Sequence, residues 1–373
     1  MEEIDTLATQ KSWTQGSLQK PFTSIIELYI HEQLSLELAV REITNEINTI
    51  YYGDGDVEEY LFDLWKTTLH TSKKLRRTPS SAPDFPSSAQ ARLIELVSSL
   101  RDQPDPIPRP QMDSQNPIPL PGDPFLDIYS SYCINSTNPF ESRNNNRSGN
   151  RNVNRIVWAT LPRFIDCVKL VLQDEPGRKA GFDDIEVQAW EDLVAFLAFV
   201  ARDLPFHHST HHGNGDENDD DNGDGDGVDD GDGLEAVAIQ MIKNALEVRH
   251  FFSTSPSTSP TSTSPLSVTR TSPTSRDNAR DSSESTKLNV YVASAAIWSV
   301  IMGEELWERV GLKIESPVGL SLDPPDFPPR GHISKDRWRM WIDRFQFMSL
   351  REDLRISTRE LAAEAAAVML RVL

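Results

Sequence analysis

The chain has 373 residues and a formal net charge of -20, with 57 acidic residues against 37 lysines and arginines. This balance argues against a general affinity for nucleic acid or an anionic membrane, because both attract positive charge. Two cysteines provide no disulfide framework, so we expect an intracellular protein, in the cytoplasm with the nucleus left open. The sequence also lacks an apolar signal-peptide core and a membrane-length apolar stretch, which predicts a soluble protein.

Helical periodicity recurs wherever the composition is that of a globular protein. Residues 1–20 show no such pattern and are predicted to be a flexible N-terminus. Apolar residues spaced three and four apart then predict helices, with N-caps at Ser35 and at Ser87 or Ser88. The helical blocks are 21–101, 153–204, 234–252 and 286–373.

The strongest apolar stripe predicts a helix at the centre of the core. It is formed by Trp190, Leu193, Leu197, Val200 and Leu204. Nearer the C-terminus, Ser334 is a predicted N-cap. Ser357, with Glu360 three residues later, predicts a capping box.

Three polar tracts interrupt the helical pattern. Residues 102–152 are rich in Pro and Asn, residues 205–233 in His, Asp and Gly, and residues 253–285 in Ser, Thr and Pro. Such compositions bury too little apolar surface to order themselves, so we predict three disordered insertions. The expected fold is all-α, a single domain of about eight to ten helices to which all four helical blocks contribute.

One helix near the C-terminus combines aromatic and basic side chains. Trp338, Trp341 and Phe345 share a helical face, and Arg337 and Arg344 flank it. This pattern indicates a possible interaction face for an anionic ligand or acidic peptide. The alternative is core packing, with the arginines paired to carboxylates.

Two segments offer metal-binding side chains in poor arrangements. The acidic tract Asp216–Asp232 could wrap a hard cation, but its register departs from that of an EF-hand, which favours a solvated loop. A zinc site would need a helix that Pro205 and Gly213 disfavour. Its imidazoles would come from His207, His208, His211 and His212. We therefore predict no metal site and no cofactor.

The third insertion contains four Ser-Pro dipeptides, at Ser255, Ser259, Ser264 and Ser272. Proline-directed phosphorylation of an accessible chain could control docking there. Cys133 and Cys167 have no recognisable base partner and are predicted to be inert.

Several ordered segments carry a family resemblance. They are Arg337-Trp338-Arg339-Met340-Trp341 with the following Ile342-Asp343-Arg344-Phe345, then Trp158-Ala159-Thr160-Leu161-Pro162-Arg163-Phe164, the Trp190 helix and the N-terminal LYIHEQLSLELAVREI. Together they resemble an uncharacterised family of fungal helical proteins, domain of unknown function 3632. The resemblance implies an all-helical fold and a fungal origin, and it implies no activity, cofactor or catalytic residue.

The function predicted from these observations is that of a non-enzymatic helical scaffold or protein-interaction module. The chain contains no nucleophile elbow, Walker A loop, zincin helix or kinase signature. The alternative is an enzyme or small-molecule binder with a pocket between helices and no linear motif. An acidic binder of basic proteins is a third possibility. The partner and the oligomeric state are left open.

Overall fold

A computed structural model of the chain describes residues 2–53, 55–77, 86–106, 158, 160–177, 182–204, 233–247, 283–308 and 333–373. Within these ranges the backbone forms eleven α-helices, a 3-10 turn at Leu172–Asp174 and no strand. The helices are α1 (Glu2–Gln10), α2 (Phe22–Ile30), α3 (Leu36–Tyr52), α4 (Val57–Lys74), α5 (Ser88–Arg101), α6 (Phe164–Val171), α7 (Asp184–Asp203), α8 (Leu234–Leu246), α9 (Ser283–Leu306), α10 (Lys335–Ser349) and α11 (Ile356–Arg371).

Side-chain caps fix the start of several helices, as the sequence predicts. The hydroxyls of Ser35 and Ser334 accept backbone N–H groups from the first turns of α3 and α10. Of the two serines considered for α5, Ser87 is the cap, and Ser88 is the first helical residue. Asp56 caps α4 in the same manner. These local contacts satisfy amide groups that have no partner inside the helix.

The capping box predicted at Ser357 and Glu360 is wrong. Helix α11 begins earlier, with Arg355 as its N-cap and without a side-chain cap. The Arg355 backbone N–H donates to Oδ1 of Asn289 on α9 at 2.8 Å. A tertiary contact, which the local sequence pattern does not contain, therefore lies at this helix start.

Helix α7 is the centre of the fold. All five members of its predicted stripe are buried, and the helix packs against α4, α5, α8 and α9. Helix α9 packs in turn against α11, which also contacts α10. The prediction of a core helix at this position is confirmed.

One contiguous cluster of buried apolar side chains runs from Phe22 in α2 to Met369 in α11. Residues 2–20 do not contribute to it. Their Leu7, Ala8 and Trp13 form a small separate cluster with Ala189 of α7. The protein therefore has a main core and a satellite cluster that attaches its N-terminus.

Residues 1–20 are predicted to be flexible, and their mobility stays a prediction. Residues Glu2–Gln10 form α1, and the chain up to residue 20 lies against the helical body. Ile4, Leu7 and Ala8 are spaced as on one helical face, but this apolar pattern is short and the rest of the stretch is mostly polar. Its attachment depends on polar contacts with distant parts of the chain, described below.

The three predicted insertions, 102–152, 205–233 and 253–285, lie almost entirely outside the described residues. Among the helices that the structure does describe, none has the length and apolar character needed to cross a membrane.

Candidate interaction site beneath the N-terminal segment

Helix α4 carries a row of buried polar side chains. Asp63, Thr67, His70, Lys73 and Lys74 share one side of the helix because they follow one another at spacings near one turn. The first four are at most 7% exposed, and the Lys74 side chain is 4% exposed. Polar groups at this depth need partners to offset the loss of water.

Two carboxylates from neighbouring elements extend this row. Asp174 lies in the 3-10 turn and Glu186 in the first turn of α7, and they are 3% and 1% exposed. We call these two and the five α4 side chains the polar face. It contains both signs of charge, so it can pair with cations and anions.

Residues 2–20, the N-terminal segment, cover the polar face and run antiparallel to α4. Asp5 contacts His70 near the C-terminal end of the helix. Ser17 reaches Asp63 towards the other end. The segment therefore lies along most of the length of α4.

At one end of the segment a carboxylate binds between two basic side chains. Oδ1 of Asp5 lies 2.8 Å from Nε2 of His70 and 2.7 Å from Nζ of Lys74. The hydrogen bond with His70, together with the hydrogen bond and charge of Lys74, lowers the pKa of Asp5 to about 2, although burial opposes the shift. Asp5 is thus ionised in any neutral solution.

His70 is the donor in this contact. Burial lowers the pKa of His70, although the hydrogen bond to Asp5 opposes the shift. The imidazole is therefore neutral at pH 7 and donates its Nε2–H to Asp5. Its Nδ1 has no hydrogen-bond partner among the described residues.

The middle of the polar face holds a buried ion pair under an aromatic ring. Nζ of Lys73 lies 3.1 Å from Oδ2 of Asp174 and 4.5 Å from the ring centroid of Trp13. The same Asp174 oxygen accepts the backbone N–H of Thr14 at 2.9 Å. The segment therefore contributes a ring and a backbone donor to this ion pair.

A second ion pair joins the residue after α1 to the start of α7. Nζ of Lys11 binds Oε2 of Glu186. The Glu186 side chain also accepts the backbone N–H of Asp183, which completes a capping box at the start of α7. One carboxylate thus serves both the helix cap and the bound segment.

The remaining contact is a close backbone approach. The Ser17 backbone N–H donates to Oδ1 of Asp63 at 2.7 Å. Burial raises the pKa of Asp63, and this hydrogen bond partly opposes it. A Cβ atom at Gly16 would lie 1.8 Å from Oγ1 of Thr67, so a residue without a side chain is required here.

These contacts are those of segment recognition. The polar face contacts a carboxylate, an ammonium group, an aromatic ring and two backbone N–H groups of the segment. Their distribution along α4 provides direction and register for a bound chain.

Sequence reasoning did not identify the polar face. Its α4 residues lie beside the apolar stripe that contains Leu61, Leu64 and Trp65, where a polar row normally indicates a solvated surface. The available signal was Trp13, a large apolar residue within an otherwise polar stretch.

The predicted interaction face on α10 lies mostly in the core. Trp338, Trp341 and Phe345 are fully buried, whereas Arg344 is exposed. Arg337 makes a two-point contact with Glu247, at 2.7 and 2.8 Å. These positions correspond to the core-packing alternative, and the use of the exposed arginine in binding stays a prediction.

Glu247 is a partner that the sequence analysis missed. It lies just after α8 and accepts the indole N–H of Trp341 at 2.8 Å in addition to the bonds from Arg337. Burial raises the pKa of Glu247, but these hydrogen bonds outweigh it and leave the pKa below its ordinary value. This carboxylate links α8 to α10.

The other candidates separate into two groups. Cys167 is buried, and burial raises its pKa to about 12, so its thiolate is scarce at neutral pH. Outside the described residues lie Ser255, Ser259, Ser264, Ser272, Cys133, the four predicted imidazoles His207, His208, His211 and His212, and the tract Asp216–Asp232. In the described part of the chain, no three His, Cys, Asp or Glu residues are grouped to hold a metal.

Comparison with known families adds one finding. The family model for the protein of unknown function DUF3632 matches residues 65–345, well over half of the chain. The chain belongs to the DUF3632 family. No curated protein and no solved structure matches it. The DUF3632 match contains most of the polar face, from Thr67 onwards, and the N-terminal segment lies outside it.

Proposed function

We propose that this DUF3632 protein is a non-enzymatic helical scaffold that binds a protein partner through its polar face. The observation that carries the proposal is the N-terminal segment itself. It lies outside the main core and is attached by ion pairs, hydrogen bonds and a satellite cluster of four residues. The segment occupies the polar face as a bound peptide from a partner would.

The packing of the body supports a scaffold. Large side chains fill the main core, and Trp65, Trp158, Trp298, Trp338 and Trp341 are all fully buried. Three of their indole N–H groups donate to backbone or side-chain oxygens at 2.8 to 3.0 Å. A rigid and filled helical body suits the presentation of a surface.

Affinity capture with matched variants of the full-length chain tests the proposal. We expect Trp13→Ala, which weakens the N-terminal segment, to increase recovery of a reproducible partner. Lys74→Gln, which alters the polar face, should reduce recovery several-fold. Gln19→Ala is the control, since this exposed side chain belongs to the same segment. Equal recovery with wild type and Lys74→Gln would contradict the proposal.

A second candidate function is small-molecule binding. A groove of about 380 Å³ between α2, α3 and α5 is lined by residues that include Tyr29, Leu34, Arg92 and Glu95. It is open to solvent, and Tyr29 already donates to Glu95 at 3.0 Å. A thermal-shift screen with metabolites tests this candidate. A ligand that stabilises the wild type and not Arg92→Met would support it, because binding to the folded state raises stability.

A further inference from the structure

We infer that the N-terminal segment is an internal ligand that keeps the polar face closed. The partner it excludes is a protein segment with the same pattern, a carboxylate followed eight residues later by an aromatic ring. This inference rests on the proposed function, and it names the chemistry of the partner and the regulation of the site.

The chemistry of the partner follows from what the polar face binds in its own chain. Asp5 provides the carboxylate for His70 and Lys74. Trp13, eight residues later, covers Lys73. Lys73 and Lys74 are adjacent in α4, so a competing segment needs the carboxylate and the ring at a similar spacing to make both contacts. A helical turn between them matches the conformation of α1.

The charge of the polar face makes the segment replaceable. Removal of a segment from an apolar groove would expose apolar surface to water, at a cost of about 25 cal/mol per Å². Here release exposes the four residues of the satellite cluster, and it also uncovers charged groups such as Lys73, Lys74 and Glu186, which water solvates well. The main core continues beneath it without residues 2–20. The body can therefore stay folded while the segment is released.

The attachment is also uneven along the segment. The Asp5 side chain is 45% exposed although it binds the buried imidazole of His70 and the buried ammonium group of Lys74. A competing carboxylate can approach this end from solvent, and it would displace the segment stepwise from Asp5 towards Trp13. Partial opening of this kind costs less than global unfolding, as is general for peripheral elements with few apolar contacts.

The test uses a fluorescent peptide of residues 2–20 and the full-length chain. In the wild type the internal segment competes with the peptide for the polar face. The apparent affinity for the peptide is therefore the intrinsic affinity multiplied by the fraction of chains in which the segment is released. We expect the double variant Asp5→Ala/Trp13→Ala to bind the peptide at least about tenfold more tightly than wild type. Adding Lys74→Gln to that double variant should weaken peptide binding by about tenfold again. A peptide with both groups replaced by alanine is the matched control.

Circular dichroism establishes that each variant is folded, and Gly16→Ala provides a second way to weaken the segment. Equal peptide affinity for wild type and both weakened variants would overturn the inference, as would equal binding of the control peptide. A folded, weakened chain that dimerises and excludes the peptide would also overturn it, in favour of segment exchange between copies. Because affinity capture does not use this peptide, failure of the proposed function is seen separately from failure of the inference.

Discussion

Asp192 shows how burial changes a single carboxyl group. It is 1% exposed on α7, and Oδ1 accepts the backbone N–H of Arg77 at 2.8 Å and the side-chain amide of Gln188 at 3.0 Å. Burial raises the pKa of Asp192 to about 7, and the two hydrogen bonds only partly oppose it. The residue anchors the chain where it leaves α4, at a cost in stability whenever it is ionised.

The pH dependence of the stability of the Asp192→Asn variant tests the raised pKa of Asp192. A raised pKa means that the folded state holds the proton more tightly, so the free energy of unfolding falls as pH rises from about 4 to about 7. Asn cannot ionise and can keep both hydrogen bonds. We expect the variant to differ little from wild type at pH 4 and to be more stable by about 2–4 kcal/mol at pH 8. Urea titrations at both pH values provide the measurement.

Asp5→Asn should show the opposite sign. Because the pKa of Asp5 is lowered in the folded state, the ionised carboxylate stabilises the fold at pH values above the unfolded pKa near 3.8. This contribution is lost as the pH falls towards 2. The variant is therefore less stable than wild type at pH 8, with a difference that shrinks in acid. If the stabilities of the two variants relative to wild type changed with pH in the same way, the opposite pKa shifts of Asp192 and Asp5 would be refuted.

The buried Lys73–Asp174 pair should also stabilise the folded state. Lys73→Met keeps much of the side-chain volume and leaves the Asp174 charge without its lysine. We expect a loss of about 3–5 kcal/mol in the free energy of unfolding. Lys20→Met is the control: its partner Glu59 is 70% exposed, and such a pair contributes at most about 1 kcal/mol. Comparable losses by denaturant titration would rule out the buried pair as a principal contact.

Among the elements, α10 depends on tertiary contacts more than its local sequence indicates. Trp338 is fully buried, and its indole N–H donates to the Met369 carbonyl of α11 at 3.0 Å. Its ring lies 5.2 Å from that of Trp307 and 6.0 Å from that of Trp341. This aromatic group holds α10 against α11 and the end of α9.

Truncation of this ring should therefore destabilise the whole C-terminal unit. We expect Trp338→Ala to reduce the free energy of unfolding by about 3–5 kcal/mol, since it leaves a cavity and an unpaired carbonyl. Phe347→Ala on the same helix is the matched control, because that ring is 59% exposed. Its effect should stay within about 0.5 kcal/mol. Equal effects in chemical denaturation would show that α10 does not pack as described.

The whole molecule combines a main core with a more weakly attached N-terminal segment. Because only four residues form the satellite cluster, the segment should open without global unfolding. Hydrogen exchange is then faster in α1 than in α7. Gly16→Ala places a methyl group against Thr67, and we expect it to increase exchange in residues 2–20 by about tenfold or more.

The control for this experiment is Gln19→Ala, a change at an exposed side chain of the same segment. Neither variant should alter exchange in α7. If Gly16→Ala instead accelerates exchange in α7 and α1 together, the segment and the body unfold as one unit. Such coupling would remove the physical basis for an internal ligand.

The sequence by itself determined the helices, several of their caps and the family. Periodicity at three and four residues and the serine caps Ser35, Ser87 and Ser334 depend on contacts within about one turn, so a local pattern contains them. The same reasoning placed the α7 stripe in the core. It also identified the aromatic residues of α10, with core packing as one of two interpretations.

Only the tertiary structure decided the polar face. Lys11 and Glu186 are 175 positions apart in the chain, and Thr14 and Asp174 are 160 apart. A buried lysine and a solvated lysine have the same local sequence pattern, because the difference lies in which distant carboxylate and which ring meet it. The folded chain brings these groups together, and the N-terminal segment then lies across charges that the sequence alone would leave in water.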